Sequence, residues 1–242
     1  KSDKMNAKIK GGYELTKIFS AVSNIIDEAT LNFKPSGLEI KELDNSGISM
    51  IEITLKPSLL NEYIINNEFK AGVNIANLNK LLKSIDKNEE LTLSVENDTI
   101  SVKTEHKVFS VHIIEAKGNN ATVKEQEYTN VITINASEFK KTLKALKEIN
   151  NYAHFYVSNG VLKIQAEGDA GSFANEFNNV VNKSTEPINN ATFNIEYIQK
   201  LTKEADNKSN IELYLKQGEP LKLVYEIAGH KIRGFLAPYV EE

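Results

Sequence analysis

The chain has 242 residues, of which 40% are hydrophobic, and it contains no cysteine, so disulfides and thiolate metal sites are excluded. Its length suits two domains, and no apolar run is long enough to span a membrane. The net charge of −4 excludes a uniformly basic nucleic-acid-binding protein, so any polyanion has to be bound by a local surface.

Two helices with strands between them are predicted in the first half of the chain. Apolar residues at helical spacing predict a helix from Tyr13 to Asp27 and a second helix from Val73 to Asp86. Turn residues cluster at Lys34–Gly37 and Asp44–Gly47, and residues 56–63 are expected to form a short helical connection. Alternating apolar residues predict strands at 30–33, 38–43, 48–55, 69–73, 91–95, 99–103 and 108–113.

A polar segment from Ile114 to Tyr128 interrupts this pattern. It has no hydrophobic period and contains the turn-forming run Gly118–Asn120, so we interpret it as a connector between two domains. The predicted division is an N-terminal domain at 1–114, a connector loop at 115–130 and a C-terminal domain at 131–242. In the second half we predict helices at 137–150 and 193–206, a polar loop up to residue 190, and strands at 131–134, 153–157, 161–167, 172–181, 211–215, 222–228 and 232–237.

The second predicted helix of each half carries nearly the same sequence. The segments 73–86 and 193–206 share several identical positions, and an alternating strand follows each of them. A repeat of this length indicates two similar domains. Each half contains helix, strands, helix and strands, which predicts an α+β fold with antiparallel sheets and helices packed on a sheet face. The matching pairs are Asn74/Asn194, Ile75/Ile195, Lys80/Lys200, Leu81/Leu201, Lys83/Lys203 and Asp86/Asp206.

Lysines lie opposite the apolar stripes of the predicted helices. In the segment 73–86, Lys80 and Lys83 lie about 180° from the apolar stripe. A single lysine-bearing helix face is usually only solvated, but its repetition on three helices favours a surface that binds a polyanion. Lysine contacts phosphates without reading bases, and the lack of interleaved aromatic residues favours duplex over single-stranded nucleic acid. The candidate DNA-facing residues are Lys10, Lys17, Lys80, Lys83, Lys87, Lys140, Lys141, Lys144, Lys147, Lys200 and Lys203.

No sequence motif indicates an enzyme. Nucleotide-binding loops, nucleophile elbows and zinc-protease motifs do not occur in the sequence. The histidines His106, His112, His154 and His230 have no metal-ligand spacing, and Asp44–Gly47 lacks the glutamate that would complete a calcium loop. We therefore expect no catalytic residues, no metal and no cofactor.

The N-terminus lacks the apolar core of a signal peptide, so a cytoplasmic location is expected.

Over nearly its whole length the sequence resembles the sliding clamps of the proliferating cell nuclear antigen type, which archaea and eukaryotes share. The resemblance is carried by Gly37–Met50, by Gly72–Ile75 with Lys80–Lys83, by Glu125–Tyr128, by Glu138–Phe139 with Lys141 and Lys144, and by Pro220 with Leu236–Pro238. It implies a clamp fold with antiparallel sheets outside and two helices per domain on the inner face. Three such chains would close a six-domain ring around duplex DNA, as a non-enzymatic processivity factor in replication and repair. The location would be cytoplasmic in an archaeon and nuclear in a eukaryote.

The resemblance also implies how partners bind. DNA polymerase, flap endonuclease, DNA ligase and the clamp loader would insert short peptide motifs into a pocket under the connector. Between subunits, the strand at 105–113 would meet the strand at 173–181 of the next chain. By position, the peptide pocket would comprise Leu43, Asp44, Gly47, Ile114, Val123, Pro220, Phe235, Leu236, Ala237, Pro238, Tyr239 and Val240.

Two features of the sequence depart from the family pattern, and two alternatives remain open. The connector is poorer in apolar residues than is typical of these clamps, which implies altered partner choice. The first helix has Thr16 and Ser23 where further basic residues are usual, which implies weaker DNA contact there. The chain is alternatively one subunit of a hetero-trimeric clamp, or a lysine-rich DNA-binding module that does not encircle DNA.

Overall fold

The computed structural model describes residues 5–117 and 122–241, which divide into two compact units. The first unit contains most of the chain before residue 118, together with Ile227–Ile232. The second contains most of the chain after residue 121, together with Ser46–Met50.

In the first unit, helix α1 (Glu14–Ser23) packs beside helix α2 (Ile75–Leu82). Its strands lie in the orders β5-β1-β7-β8-β9 and β4-β3-β2-β6, and neighbours whose register is defined run antiparallel. The strands are β1 (Met5–Gly11), β2 (Glu28–Lys34), β3 (Gly37–Leu43), β4 (Ser49–Leu55), β5 (Glu62–Ile65), β6 (Phe69–Asn74), β7 (Leu91–Glu96), β8 (Thr99–Lys103) and β9 (Val108–His112).

The second unit repeats this arrangement. Helix α3 (Ala136–Ile149) packs beside helix α4 (Ile195–Thr202), and the strand orders β14-β10-β16-β17-β18 and β13-β12-β11-β15 match those of the first unit strand for strand. The two similar α+β domains predicted from the repeat are therefore confirmed. The strands are β10 (Asn130–Asn135), β11 (Tyr152–Ser158), β12 (Val161–Gly168), β13 (Gly171–Phe177), β14 (Val181–Ser184), β15 (Ile188–Asn194), β16 (Asn210–Leu215), β17 (Leu221–Ile227) and β18 (His230–Leu236).

Equivalent strand pairs carry aromatic contacts in the two cores. Phe33 of β2 stacks on Phe69 of β6 with ring centroids 4.7 Å apart, and Phe155 of β11 meets Phe193 of β15 edge to face at 5.5 Å. Such pairs stabilise a core by about 0.5–1.5 kcal/mol beyond the burial of their surface.

Asparagine side chains start three of the four α-helices found in the described residues. The Oδ1 atom of Asn74 accepts a hydrogen bond from Asn77 N at 2.9 Å, and Asn194 does the same for Glu196 N at 3.0 Å. Asn135 accepts from the backbone N of the third residue of α3 at 3.1 Å. Each bond satisfies a backbone donor that would otherwise lack an intrahelical partner, which fixes where the helix begins.

All four predicted helices exist, but α1, α2 and α4 each end four residues before the predicted position, and α2 and α4 also begin two residues after it. Val73 and Phe193 still belong to strands β6 and β15, and the asparagine after each ends the strand and caps the helix that follows. At the other end, α2 stops at Leu82 although Ile85 is buried, because Ile85 packs from a turn in which its N–H bonds to Leu82 O at 3.1 Å. The apolar period therefore continues past the helix.

Several strands differ from the predicted ones in position or were not predicted at all. Their residues are polar, or a turn interrupts the predicted segment. The helical connection expected at 56–63 is only a 3-10 turn, Pro57–Leu59, followed by β5, which pairs with the unpredicted strand β1. The strand expected at 172–181 ends at Phe177, because Asn179 has a φ of 62° and turns the chain into β14. The loop expected up to residue 190 contains the start of β15.

None of the helices in the described part of the chain combines the length and apolar character that a membrane crossing requires. Among the same residues, no group of three or more His, Asp or Glu side chains is arranged to hold a metal ion.

Candidate nucleic-acid interface and partner pocket

The second helix of each unit separates apolar and basic side chains as the repeat predicts. On α2, Leu78 and Leu82 are buried while Lys80 and Lys83 are exposed. On α4, Ile198 is buried among the core residues while Lys200 and Lys203 are exposed. Lys83 and Lys203 both sit directly after the last helical residue, where the helix dipole favours positive charge.

One lysine of helix α3 forms hydrogen bonds to the backbone of its own unit. The Lys140 ammonium donates to Lys203 O at 3.1 Å and also to Ala205 O, so it caps carbonyls in the turn after α4. Lys141 and Lys144 are exposed. Lys147 is half-buried, and its Nζ donates to Asn151 Oδ1 at 2.9 Å.

Ion pairs divide the predicted lysines other than Lys140 into two groups. Lys200 Nζ lies 3.5 Å from Glu196 Oε1, Lys147 Nζ lies 4.0 Å from Glu196 Oε2, and Lys10 Nζ lies 3.6 Å from Glu62 Oε2. Such solvent-accessible pairs leave the ammonium available, because surface pairs typically contribute only about 0–1 kcal/mol. No acidic side chain of the described residues lies within ion-pair distance of Lys17, Lys80, Lys83, Lys87, Lys141, Lys144 or Lys203.

The predicted pocket residues are distributed over both units. In the first unit, Leu43 and Ile114 line the same cavity of about 540 Å³. Asp44, the residue after Leu43, is buried but does not line this cavity. The other predicted residues, Gly47, Val123, Pro220 and Phe235 to Val240, belong to the second unit.

The start of the connector is bound to the edge of strand β6. Ile114 N donates to Gly72 O at 3.0 Å, and Thr30 Oγ1 donates to Lys117 O at 3.2 Å. A Cβ on Gly72 would lie 2.5 Å from Ile114 O, so only glycine permits this close approach. Lys117 also forms an ion pair with Glu28 at 3.1 Å.

The C-terminal segment is bound to the second unit in the equivalent way. Tyr239 N donates to Thr192 O at 2.8 Å, and Thr192 is the repeat counterpart of Gly72. Ala237 N donates to Ile48 O at 2.9 Å, and the Tyr239 ring stacks on Tyr152 with centroids 4.0 Å apart. Tyr239 and Val240 are exposed, and an extended segment of this kind can offer main-chain hydrogen bonds to a bound peptide.

Sequence reasoning missed two groups at these sites. Glu42 is buried and accepts a hydrogen bond from Thr30 N at 2.7 Å, and its inward position in the alternation of β3 is the signal that reveals it. The stacking of Tyr152 on Tyr239 had no local signal, because the two residues are far apart in the sequence.

Two family models, described as the N-terminal and C-terminal domains of proliferating cell nuclear antigen, match residues 4–122 and 122–240. The curated relatives include a "DNA polymerase sliding clamp" of Nitrosopumilus maritimus, 24% identical over 97% of this chain and 98% of the relative. Another of that name, from Methanococcus maripaludis, is 24% identical over 94% and 96% of the two chains.

Solved structures give the same result for the fold. One is A. fulgidus PCNA bound to the C-terminal region of FEN-1, with a TM-score of 0.90 and 23% identity over 98% of this chain and 99% of that chain. Another is the PCNA2–PCNA3 complex of Sulfolobus tokodaii, with a TM-score of 0.87 and 23% identity over 97% of this chain and 100% of that chain. Because the two family models together cover nearly all of the sequence, the chain belongs to the proliferating cell nuclear antigen family.

Proposed function

We propose that this chain is a DNA sliding clamp, a ring-forming processivity factor that encircles duplex DNA and tethers replication and repair enzymes to it. Family membership and the curated relatives named as DNA polymerase sliding clamps support this function. The structural observation that carries it is the same lysine-bearing helix in equivalent places of two similar units.

The lysine faces of the helices are proposed to contact the DNA backbone. Lysine is a point charge that tolerates many phosphate positions, so the contacts are independent of sequence and permit sliding. Lys140 contributes less than its neighbours, because its ammonium already bonds to two carbonyls. The proposed DNA-facing set remains Lys10, Lys17, Lys80, Lys83, Lys87, Lys140, Lys141, Lys144, Lys147, Lys200 and Lys203.

Ring closure is proposed to occur between β9 of one chain and β13 of the next. Each is the outermost strand of its sheet, and Val108 at the start of β9 is 70% exposed. Unpaired strand edges are a liability that pairing with another copy removes. Three chains, and hence six domains, would close the ring.

Partner enzymes are proposed to bind through short peptides at the connector and the C-terminal segment. The relative from A. fulgidus is bound to the C-terminal region of FEN-1. Here Leu43 and Ile114 would supply apolar contacts in the first unit, and Ala237–Val240 would supply main-chain groups in the second. DNA polymerase, DNA ligase and the clamp loader are further proposed partners. The chain acts as a scaffold in the cytoplasm and catalyses no step itself.

The decisive experiment compares circular with linear DNA after loading by a clamp loader. A clamp remains on a closed circle and slides off a linear duplex with free ends, and it elutes alone at the mass of a trimer. Equal retention on both DNAs would contradict encirclement and favour a surface binder. A monomeric mass with circle-specific retention only after a second clamp protein is added would favour a hetero-trimeric ring.

A further inference from the structure

One ammonium group contacts three groups of the turn that follows α2. Lys107 Nζ donates to Ser84 O at 2.7 Å and to Glu89 Oε2 at 2.9 Å, and it lies 3.5 Å from Asp86 Oδ2. The Lys107 side chain is 34% exposed and that of Glu89 only 18%, so water screens this contact incompletely. One side chain thus joins the backbone of the turn and both of its acids.

The acids of this turn are also fixed to the backbone. Glu89 Oε2 accepts a hydrogen bond from Asp86 N at 2.7 Å, and Glu89 N donates to Asp86 O at 3.0 Å. The bond from Asp86 N–H and the ammonium of Lys107 lower the pKa of Glu89 to about 2. The Glu89 carboxylate to which Lys107 donates is therefore ionised throughout the physiological pH range.

Lys107 itself comes from the hairpin between β8 and β9. Thr104 N donates to Lys107 O at 2.9 Å, and Lys107 N donates to Thr104 Oγ1 at 3.1 Å, so the hairpin is closed around the lysine. Strand β9 begins at the next residue, Val108, and is the outermost strand of its sheet. The ammonium therefore connects an edge strand with the end of a helix.

Two candidate DNA-facing lysines lie on the segment that Lys107 holds. Lys83 immediately precedes Ser84, whose carbonyl accepts a hydrogen bond from the ammonium, and Lys87 lies between Asp86 and Glu89. We propose that Lys107 is a positioning residue that fixes Lys83 and Lys87 relative to the hairpin from which β9 starts. This inference rests on the proposed clamp function. It makes pairing of β9 with a second copy and contact of this turn with DNA energetically coupled, and such coupling is reciprocal.

The second unit provides a built-in comparison. Lys140 Nζ donates to Lys203 O and Ala205 O, in the turn that is equivalent by repeat to the one after α2. That ammonium belongs to helix α3, which packs beside α4. The second turn is therefore bonded to a neighbouring helix, whereas the first turn is bonded to a hairpin. A change at Lys107 in the β8–β9 hairpin should therefore affect the first turn and leave the second unchanged.

The test is amide hydrogen exchange on the full chain carrying Lys107→Met, which keeps most of the side-chain volume without the charge. We expect exchange in Ser84–Glu89 to rise by about tenfold, and exchange in Lys203–Ser209 to stay as in the wild type. Lys107→Arg should restore most of the protection. Lys103→Met, which removes an exposed charge from the same hairpin, is the matched control and should change neither turn.

The DNA readout is retention of the loaded protein on circular DNA as salt is raised. We expect Lys107→Met to dissociate at lower salt than the wild type, Lys107→Arg or Lys103→Met. Unchanged exchange in Ser84–Glu89, an equal rise in both turns, or raised exchange with unchanged retention would each overturn the positioning role. If the wild type itself is not retained on circles, the clamp proposal fails, while the exchange data still decide whether Lys107 holds the turn.

Discussion

At the scale of single residues, the same side chain serves different purposes depending on where the fold places it. Lys83 presents its ammonium to solvent after α2, whereas Lys140, one of four lysines on α3, uses its ammonium to cap carbonyls. The sequence places both on the polar side of a helix, and only tertiary packing separates them. A lysine near a helix C-terminus is favourable in either role, because the last carbonyls lack intrahelical donors.

His230 is the residue whose burial has a consequence for stability against pH. It is 1% exposed, and neither ring nitrogen has a hydrogen-bond partner among the described residues. Burial lowers the pKa of His230, while the nearby carboxylate of Glu14 opposes this shift in part. Above pH about 6.5 the ring is neutral in both the folded and the unfolded chain, so its contribution is constant.

As the pH falls below about 6.5, the unfolded chain takes up the His230 proton first, and the free energy of unfolding decreases. At pH 5.5 the decrease attributable to this residue is up to about 1.4 kcal/mol. Urea unfolding at pH 7.5 and 5.5 should therefore show a smaller pH effect in His230→Leu than in the wild type. His106→Gln, at an exposed position, is the control, and equal pH effects in all three proteins would contradict the assignment.

At the scale of elements, each unit pairs one strand edge in the same way. The edge belongs to the strand that precedes the lysine-bearing helix α2 or α4, and it is bonded to the segment that follows the last strand of the unit. The acceptor is Gly72 O in β6 and Thr192 O in β15, and the donors are Ile114 N and Tyr239 N. The first attachment leaves no room for a side chain on β6, since a Cβ on Gly72 would also lie 2.9 Å from the carbonyl carbon of Glu115.

Gly72→Ala should release the start of the connector from β6. We expect reduced hydrogen-exchange protection at Ile114 N–H, a destabilisation of about 1–3 kcal/mol from overpacking, and weaker binding of a polymerase-tail peptide. Thr192→Ala is the matched control, because a Cβ is already accommodated at that equivalent position. Full protection of Ile114 in Gly72→Ala would show that the backbone yields without releasing the connector.

The sequence predicted the elements well where burial is periodic and poorly where it is not. The stripes on α2 and α4 are long and regular, so both helices and the repeat were correctly identified. Their ends were not, because Ile85 and Ala205 remain buried in turns that continue the helical period. Strand β14 contains an asparagine and a lysine, and β15 contains three asparagines; both lie at sheet edges, where alternation is weak. The network of Lys107 depends on residues brought together only by folding.

At the scale of the whole molecule, charge is segregated rather than abundant. The chain is acidic overall, with 33 acidic against 29 basic residues, yet seven lysines of the helices and the segments beside them have no acidic partner within ion-pair distance among the described residues. A net negative protein with local positive surfaces binds a polyanion on one surface and repels it elsewhere. Association of this kind weakens steeply with salt.

The double variant Lys83→Glu with Lys203→Glu should weaken DNA association without unfolding the chain, because both side chains are exposed. In a plot of log affinity against log salt, the slope should become shallower by about 0.9 for each phosphate that the variant no longer neutralises. Lys70→Glu with Lys103→Glu makes the same change in net charge at exposed positions outside the helices and serves as the control. If both double variants show the same slope, net charge rather than the helix surface governs binding.

The matching attachments of the connector and the C-terminal segment have a consequence for engineering. Because Tyr239 is bonded to the edge of β15 as Ile114 is bonded to the edge of β6, a segment fused after Tyr239 would start from a backbone that is already held to its own unit. Single-chain concatemers with a defined order of subunits are therefore best joined at the C-terminus, with Tyr239 left in place.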